Sequence, residues 1–276
     1  MGQMNGRVVL MTGAAGAIGK PMCVELARRG ATVVMAGRGV KLAQAADAVR
    51  AATGSTQIHT LELDLSSLES VRHAAESFKQ RFGKLHVLIN NAAIFSGSRR
   101  TTEDGFELIF GTCHLGHFLL TNLLVDTLKA SAPSRVVLMT MDSKIPINFD
   151  DLQAEKKYSS LDRLQMSKGA VTCFGVELSQ RLEGSGVVVN CVNPELTKST
   201  LPKEAPLPLR LVFAVFGQSP EKSKNYGIEV ACDEKFAKTS GHYLRKGVDK
   251  AIPGLYLDAA VRTRLWTESA KLVGLN

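Results

Sequence analysis

Three observations predict a single α/β domain built on a doubly wound parallel sheet. Near-continuous apolar runs alternate with helical patterns through the first two thirds of the chain. A glycine-rich turn follows the first apolar run and opens the first helix. No linker, internal repeat or low-complexity tract interrupts the alternation, so residues 1–276 read as one domain. Right-handed crossovers then give a Rossmann-type sheet with about seven strands.

The elements follow in order. The first strand is Arg7–Met11, and helical periodicity runs from Ile18 to Arg29. Strands Thr32–Ala36, Ile58–Leu63 and His86–Asn90 alternate with helices Lys41–Ala52 and Leu68–Phe82. A long helix lies within Glu103–Ala130, followed by strand Arg135–Thr140, helix Ser160–Leu182 and strand Val187–Val192. After Pro194 the pattern breaks. Pro194, Pro202, Pro206, Pro208 and Pro220 punctuate residues 194–225, with the apolar LRLVFAVF run between the last two. In a doubly wound sheet such a segment lies beyond the strand C-terminal ends, so residues 194–225 are expected to lid a pocket there. The plainer alternative is a small helix closing the core.

Composition narrows the partners. The net charge is +8, yet no lysine or arginine run exceeds two residues, as at Arg99-Arg100, Lys156-Lys157 and Arg245-Lys246. Nucleic-acid binding calls for a clustered basic footprint, so it is not expected. Part of the charge is available to an anionic cofactor instead. The five cysteines are scattered without metal-ligand spacing, which suits core residues in a reducing compartment and no metal site. No uninterrupted apolar stretch reaches the roughly 18 residues of a membrane span. The nearest, Leu207–Phe216, contains Pro208 and Arg210, and the N-terminal apolar run reads as a strand rather than a signal peptide. A cytoplasmic protein without integral membrane association is therefore expected.

The glycine-rich turn, Thr12-Gly13-Ala14-Ala15-Gly16-Ala17-Ile18-Gly19, has the strand before it and the helix after it that a dinucleotide pyrophosphate requires. The second strand ends Met35-Ala36-Gly37-Arg38. An acidic residue there would accept hydrogen bonds from ribose hydroxyls; Arg38 instead suits a 2′-phosphate, and Lys20 adds a second positive charge. The pair favours NADP(H) over NAD(H).

With these motifs in place, the chain resembles the short-chain dehydrogenases/reductases, most closely their retinol-dehydrogenase-like group. The resemblance extends over nearly the whole chain. It rests on the glycine turn, Asp64-Leu65-Ser66, Asn90-Asn91-Ala92-Ala93, TEDGFELIFGTCHLGHFLLT at Thr102–Thr121, SAPSRVV at Ser131–Val137 and DLQAEKKYSS at Asp151–Ser160. It implies an adenine contact at Asp64-Leu65, a cofactor-lining stretch at Asn90–Ala92, a nicotinamide contact around Pro194 and Ser199, and a homodimer formed through the two long helices.

The resemblance also exposes a departure. Family chemistry uses an asparagine, a serine, a tyrosine and a lysine. Here Cys113 takes the asparagine position, Met141 the serine position and Leu164 the tyrosine position; only Lys168 matches. The four tyrosines, Tyr158, Tyr226, Tyr243 and Tyr256, all lack a lysine four residues later. Asn193-Pro194-Glu195 stands in place of the usual Pro-Gly, and Ala17 in place of the middle glycine. Carbonyl reduction needs a proton beside the oxygen, and leucine and methionine supply none. By resemblance, Lys168 also holds the nicotinamide ribose, a role that survives loss of the tyrosine. Met141 and Leu164 together make a greasy cavity suited to a small lipophilic or polycyclic substrate.

Three functions are compatible with this pattern. The first is an atypical enzyme binding NADP(H) and a lipophilic substrate, with non-standard and possibly non-redox chemistry such as cyclisation, isomerisation or elimination. The second is an NADP(H)-dependent carbonyl or alcohol oxidoreductase with a substitute acid. Third comes a non-catalytic cofactor-binding protein. Thr140, Cys113, Asp142, His114, His117 and Tyr158 are the nearby polar candidates; for each, a packing or surface role is the plainer expectation.

Overall fold

The computed structural model describes residues 3–199, 204, 205 and 207–275. Seven strands run parallel: β1 (Val8–Thr12), β2 (Thr32–Gly37), β3 (Ile58–Glu62), β4 (Val87–Asn90), β5 (Ser134–Met139), β6 (Val187–Asn193) and β7 (Tyr243–Arg245). An eighth, β8 (Val248–Lys250), pairs antiparallel with β7. The order is β3-β2-β1-β4-β5-β6-β7-β8, so the winding reverses between β1 and β4. In such sheets the ligand crevice opens beyond the strand C-terminal ends at that reversal.

The sequence pattern explains the layering. Successive residues of a strand face opposite sides. Val9 and Met11 of β1 enter one apolar core with Met22, Leu26, Val49 and Ile228, while Leu10 enters the other with Phe78, Phe118 and Phe174. Helices α1 (Gly19–Arg28), α2 (Gly39–Thr53) and α8 (Pro220–Cys232) supply the first of these cores. Helices α3 (Leu68–Phe82), α5 (Gly116–Ala130) and α6 (Ser160–Arg181) supply the second.

The eighth strand exceeds the seven expected from sequence. It is short and exposed, so it has no apolar alternation to read. Its marker is the Lys246-Gly247 turn, where both residues adopt positive φ (54° and 71°), the backbone that a two-residue hairpin needs.

The long helix expected within Glu103–Ala130 is composite. Helix α4 (Leu108–Phe110) passes through a π turn at Gly111–Leu115 before continuing as α5. Leu108–Ala130 is long and apolar enough to cross a membrane, but most of it is buried inside the protein, as for a core helix.

Helix α10 (Ala259–Leu272) closes the molecule against α5 and α6. Trp266 packs on Phe118 and Phe174 with ring centroids 5.0 and 5.8 Å away, and the Arg181 guanidinium lies 4.0 Å over its ring. Arg262 pairs with Glu177 at 3.3 Å, and His114 Nε2 lies 2.8 Å from Ser269 Oγ. The long helices on which the resemblance places a dimer surface are therefore covered, around Phe118 and Phe174, by the chain's own C-terminal helix.

Candidate active site

Thr12, the last residue of β1, ties the crevice together. Its Oγ1 accepts the Asn91 and Ala92 backbone N–H groups at 2.9 and 3.1 Å and lies 2.8 Å from His117 Nε2. With two donors already received, the hydroxyl proton goes to His117 Nε2. His117 then carries its own proton on Nδ1 and donates it to the Cys113 carbonyl at 3.0 Å. Burial pushes the His117 pKa down to about 4, which fits this neutral form. The histidine is thus a structural link between the glycine turn and the π turn, as the packing expectation held.

Two glycines of the turn are steric necessities. Gly13 has φ +62°, and a Cβ there would lie 2.8 Å from the Ala92 Cα; one on Gly19 would run into the Gly13 carbonyl oxygen. Gly16 donates its N–H to that same carbonyl at 3.0 Å. Helix α1 then begins at Ile18 without a capping side chain and without an acidic residue in its first turn. This helix N-terminus suits a phosphate, as the sequence predicts. Lys20 is exposed beside it.

Arg38 lies at the end of β2 with its side chain 63% exposed, and its Nη1 donates to Asp64 Oδ2 at 2.8 Å. Asp64 Oδ1 accepts from the Ser66 N–H and hydroxyl at 2.9 and 2.6 Å. Burial opposes its ionisation, but the hydrogen bonds from Ser66 and Arg38 prevail and hold the carboxyl below its ordinary range. Asp64 is therefore the residue that aims Arg38. Leu65 turns its side chain into the core, and Asn90 points its amide at Thr121 Oγ1, 2.8 Å away. These positions, like Ala92, offer the crevice backbone rather than side chains. The uncapped helix, the glycine turn and the exposed Arg38 guanidinium fit a 2′-phosphorylated dinucleotide.

The other end of the crevice is built from carbon. Leu164 on α6 is 5% exposed and packs in one cluster with Cys113, Phe95, Ile109 and Ala205, flanked by Met141 and Ile94. The structure thus brings together all three substituted positions. Cys113 lies in the π turn, where the Ile94 N–H approaches its Sγ at 3.5 Å, and burial raises its thiol pKa. It is a core thiol rather than a nucleophile.

Lys168 lies one turn beyond Leu164, and its Nζ donates to the Met139 carbonyl at 2.9 Å. Burial lowers its pKa, with Cys113 opposing the shift. Thr140 is engaged elsewhere, donating to the Lys168 carbonyl at 2.8 Å and meeting Thr172 Oγ1 at 3.0 Å. Tyr158 donates to the Ser96 carbonyl at 2.9 Å.

A buried ion pair sets the height of α6. Arg163, immediately before Leu164, donates to Glu107 Oε2 through Nε at 3.1 Å and Nη2 at 3.0 Å. Glu107 is fully buried and also receives the Ile109 and Phe110 N–H groups, both at 2.9 Å, so it caps α4. One carboxylate therefore fixes both α6, which carries Leu164, and α4, which leads into the π turn bearing Cys113.

A polar network that sequence reading missed joins the ends of β5, β6 and β7. Asp142 accepts from Tyr243 Oη at 2.5 Å, Arg245 Nη1 at 2.6 Å and Asn193 Nδ2 at 3.1 Å. Arg245 also pairs with Glu195. Asp142 is thus more than the loop-surface carboxylate expected of it. Burial and Asp142 raise the Tyr243 pKa, making this phenol a weak acid. Glu195 adopts φ +64°, where a glycine would be at ease, and is pinned by Asn193 Oδ1, which accepts its N–H at 2.8 Å. Pro194 beside it accepts from Gln218 Nε2 at 2.8 Å, and Ser199 lies further along the same loop. A cavity of about 310 Å³ opens between Met141, Asp142, Tyr243, Arg245 and Tyr256. Of the expected lid, residues 200–203 and 206 lie outside the described residues; the remainder includes α7 (Leu207–Phe216) and the start of α8.

This arrangement, a phosphate-binding turn at the winding reversal with a lysine on the helix after β5, is that of a dinucleotide-dependent dehydrogenase. The family model described as short chain dehydrogenase matches residues 7–207, and the chain belongs to that family. Within it, the chain falls in the retinol-dehydrogenase-like group. It is 40% identical over 282 residues to human retinol dehydrogenase 13, covering 98% of this chain and 85% of that one. Human retinol dehydrogenase 14 is 37% identical over 298 residues, covering 99% and 88%. Among solved structures, an uncharacterised protein from Mycobacterium paratuberculosis superposes with a TM-score of 0.78 at 30% identity, covering 98% of this chain and 94% of that one.

Proposed function

We propose that the protein is an NADP(H)-dependent oxidoreductase acting on a lipophilic, retinoid-like alcohol or carbonyl compound. The observation that carries the reading is Lys168: a buried ammonium retained on α6 beside the apolar Leu164 cluster, on a scaffold shared with retinol dehydrogenases. A nicotinamide held at this site would provide hydride chemistry at the substrate carbon. Arg38, aimed by Asp64, and the N-terminus of α1 hold the phosphates. The Leu164 cluster packs against the hydrocarbon of the substrate and excludes water.

Lys168 takes the place of the missing tyrosine as proton source. An ammonium has three donors, and the Met139 carbonyl engages one. Burial, by lowering its pKa, makes it a stronger acid than an exposed lysine. In reduction it donates to the substrate oxygen; in oxidation the neutral amine receives the proton.

The test is absorbance at 340 nm with NADPH and all-trans-retinal. Substrate-dependent loss of absorbance, abolished in Lys168→Met at NADPH concentrations that saturate the variant, is the expected result. Stoichiometric NADPH binding without such loss for retinal or a panel of lipophilic ketones would overturn the redox reading. A second reading rests on the dry contact of Leu164, Met141 and Cys113. In that reading the cofactor is held and a lipophilic substrate is isomerised or cyclised without hydride leaving the site; turnover with constant 340 nm absorbance would identify it.

A further inference from the structure

Helix α7 presents carbon to the outside. Leu207, Leu211 and Val215 recur every four residues, with Val212 and Phe216 in the adjoining row, so the five share one helix face. They are 63, 55, 67, 41 and 76% exposed, in that order. A surface helix ordinarily turns such a stripe inward, and exposed patches of this kind mark interaction sites.

The surroundings of the stripe are cationic. No acidic residue occurs from Leu207 to Pro220, and Arg210 is exposed on the helix itself. Lys198 is brought to the C-terminal end of α7 by its backbone N–H, which donates to the Gln218 carbonyl at 3.0 Å. Lys222 is exposed in the first turn of α8. The carboxylates flanking α7 in sequence, Glu204 and Glu221, are paired with Arg100 and Lys224 at 2.6 and 2.7 Å, and Glu195 is paired with Arg245. Among the described residues, Arg210, Lys198 and Lys222 have no carboxylate partner. The patch is therefore apolar along its crest and positive at its margin.

We propose that α7 lies in the surface of an anionic lipid bilayer, its apolar stripe at the acyl boundary and Arg210, Lys198 and Lys222 among the headgroups. An apolar stripe with cations beside it is the amphipathic pattern that such surfaces bind, and the net charge of +8 draws the whole chain in the same direction. Ala205, two residues before α7, packs in the Leu164 cluster, so the docked helix would stand next to the candidate site. A lipophilic substrate could then pass from lipid to pocket without crossing water. Lipid binding is measured without substrate or cofactor, so this inference and the redox reading can fail separately.

The experiment is co-sedimentation of the full chain with vesicles of phosphatidylcholine alone or with about one fifth phosphatidylserine. We expect binding to the anionic vesicles, weakened by added salt. Val215→Glu combined with Phe216→Glu changes only exposed side chains, and circular dichroism checks its fold; its bound fraction should fall about tenfold. Wild-type protein that stays in solution with the anionic vesicles overturns the proposal, as does the double variant binding like wild type. So does sedimentation equilibrium showing a wild-type dimer that the double variant dissociates, which would make the stripe an interface between copies.

Discussion

Around the β1–α1 turn, polar groups are either precisely tied or left facing the crevice: Thr12 receives two backbone donors, α1 is uncapped, and Arg38 is held outward by Asp64. Around Leu164, the equivalent space is filled with leucine, methionine, phenylalanine and a buried thiol, and the polar atoms nearby are engaged within the protein. The β1–α1 end therefore leaves polar groups on offer, while the Leu164 end presents apolar surface and shape. Lys168 stands at the boundary, polar and buried at once. The contrast shows one crevice with an end that offers polar groups and an end lined with carbon.

Restoring polarity at the reaction end should give the largest effect. Leu164→Tyr with Met141→Ser should raise the rate of retinal-dependent NADPH oxidation by about 10²–10⁴-fold, the typical contribution of a positioned acid and an oxyanion donor. Steady-state absorbance at 340 nm reads it. No gain in a variant that folds and binds NADPH would mean that the two ends are no longer aligned for hydride transfer.

The scaffold beneath the apolar end can be broken through its buried ion pair. Glu107→Ala leaves the Arg163 guanidinium buried without its carboxylate and removes the cap of α4. We expect a loss of about 3–5 kcal/mol in urea unfolding. A loss below about 1 kcal/mol would show that water or the Leu152 carbonyl, already an Arg163 acceptor at 2.6 Å, replaces the carboxylate.

At the cofactor end, Arg38→Ala should weaken NADPH binding by about ten- to a hundredfold, the value of a charge-assisted contact to phosphate. NADH affinity should stay within about twofold. Titration calorimetry with both nucleotides sharpens the comparison, because equal losses would place Arg38 in general cofactor binding rather than 2′-phosphate recognition.

The remaining effect is one of pH. Burial pushes His114 and His117 down to about 3 and about 4, from 6.5. As pH falls below 6.5, the unfolded chain takes up these protons first, so stability is complete above that pH and declines until the folded pKa values are reached. The decline approaches about 1.4 kcal/mol per pH unit for each histidine in mid-window. Urea midpoints between pH 7 and pH 5 measure it, and His114→Gln should flatten the dependence.

Most of this contrast was legible in the sequence. The glycine turn, Arg38 and Lys168 could be placed because each lies in a short motif whose neighbours define its position, and Cys113, Met141 and Leu164, marked as departures by resemblance alone, fall in or beside one apolar cluster. Strands β1, β2, β4, β5 and β6 were legible for a related reason: covered on both faces, they are largely apolar runs. What escaped was made by tertiary convergence. Asp142, Glu195 and Arg245 sit on three strand ends separated by some fifty residues each, and no local pattern announces that they meet. Asp64 shows the same limit, since nothing in its motif announced that the fold would pair it with Arg38. Leu207–Phe216 was recognisable as an apolar run, but that it forms a helix with this stripe turned outward depended on the body beneath it.

Helix α10 has a consequence for dilute solution. Trp266, Arg262 and Ser269 cover α5 and α6 from within the same chain, so the support they give to the helix bearing Leu164 and Lys168 is unimolecular. The contacts they make cannot be lost by dilution, unlike those of a subunit interface, whose occupancy follows protein concentration. This support of the reaction end accordingly needs no second copy of the chain.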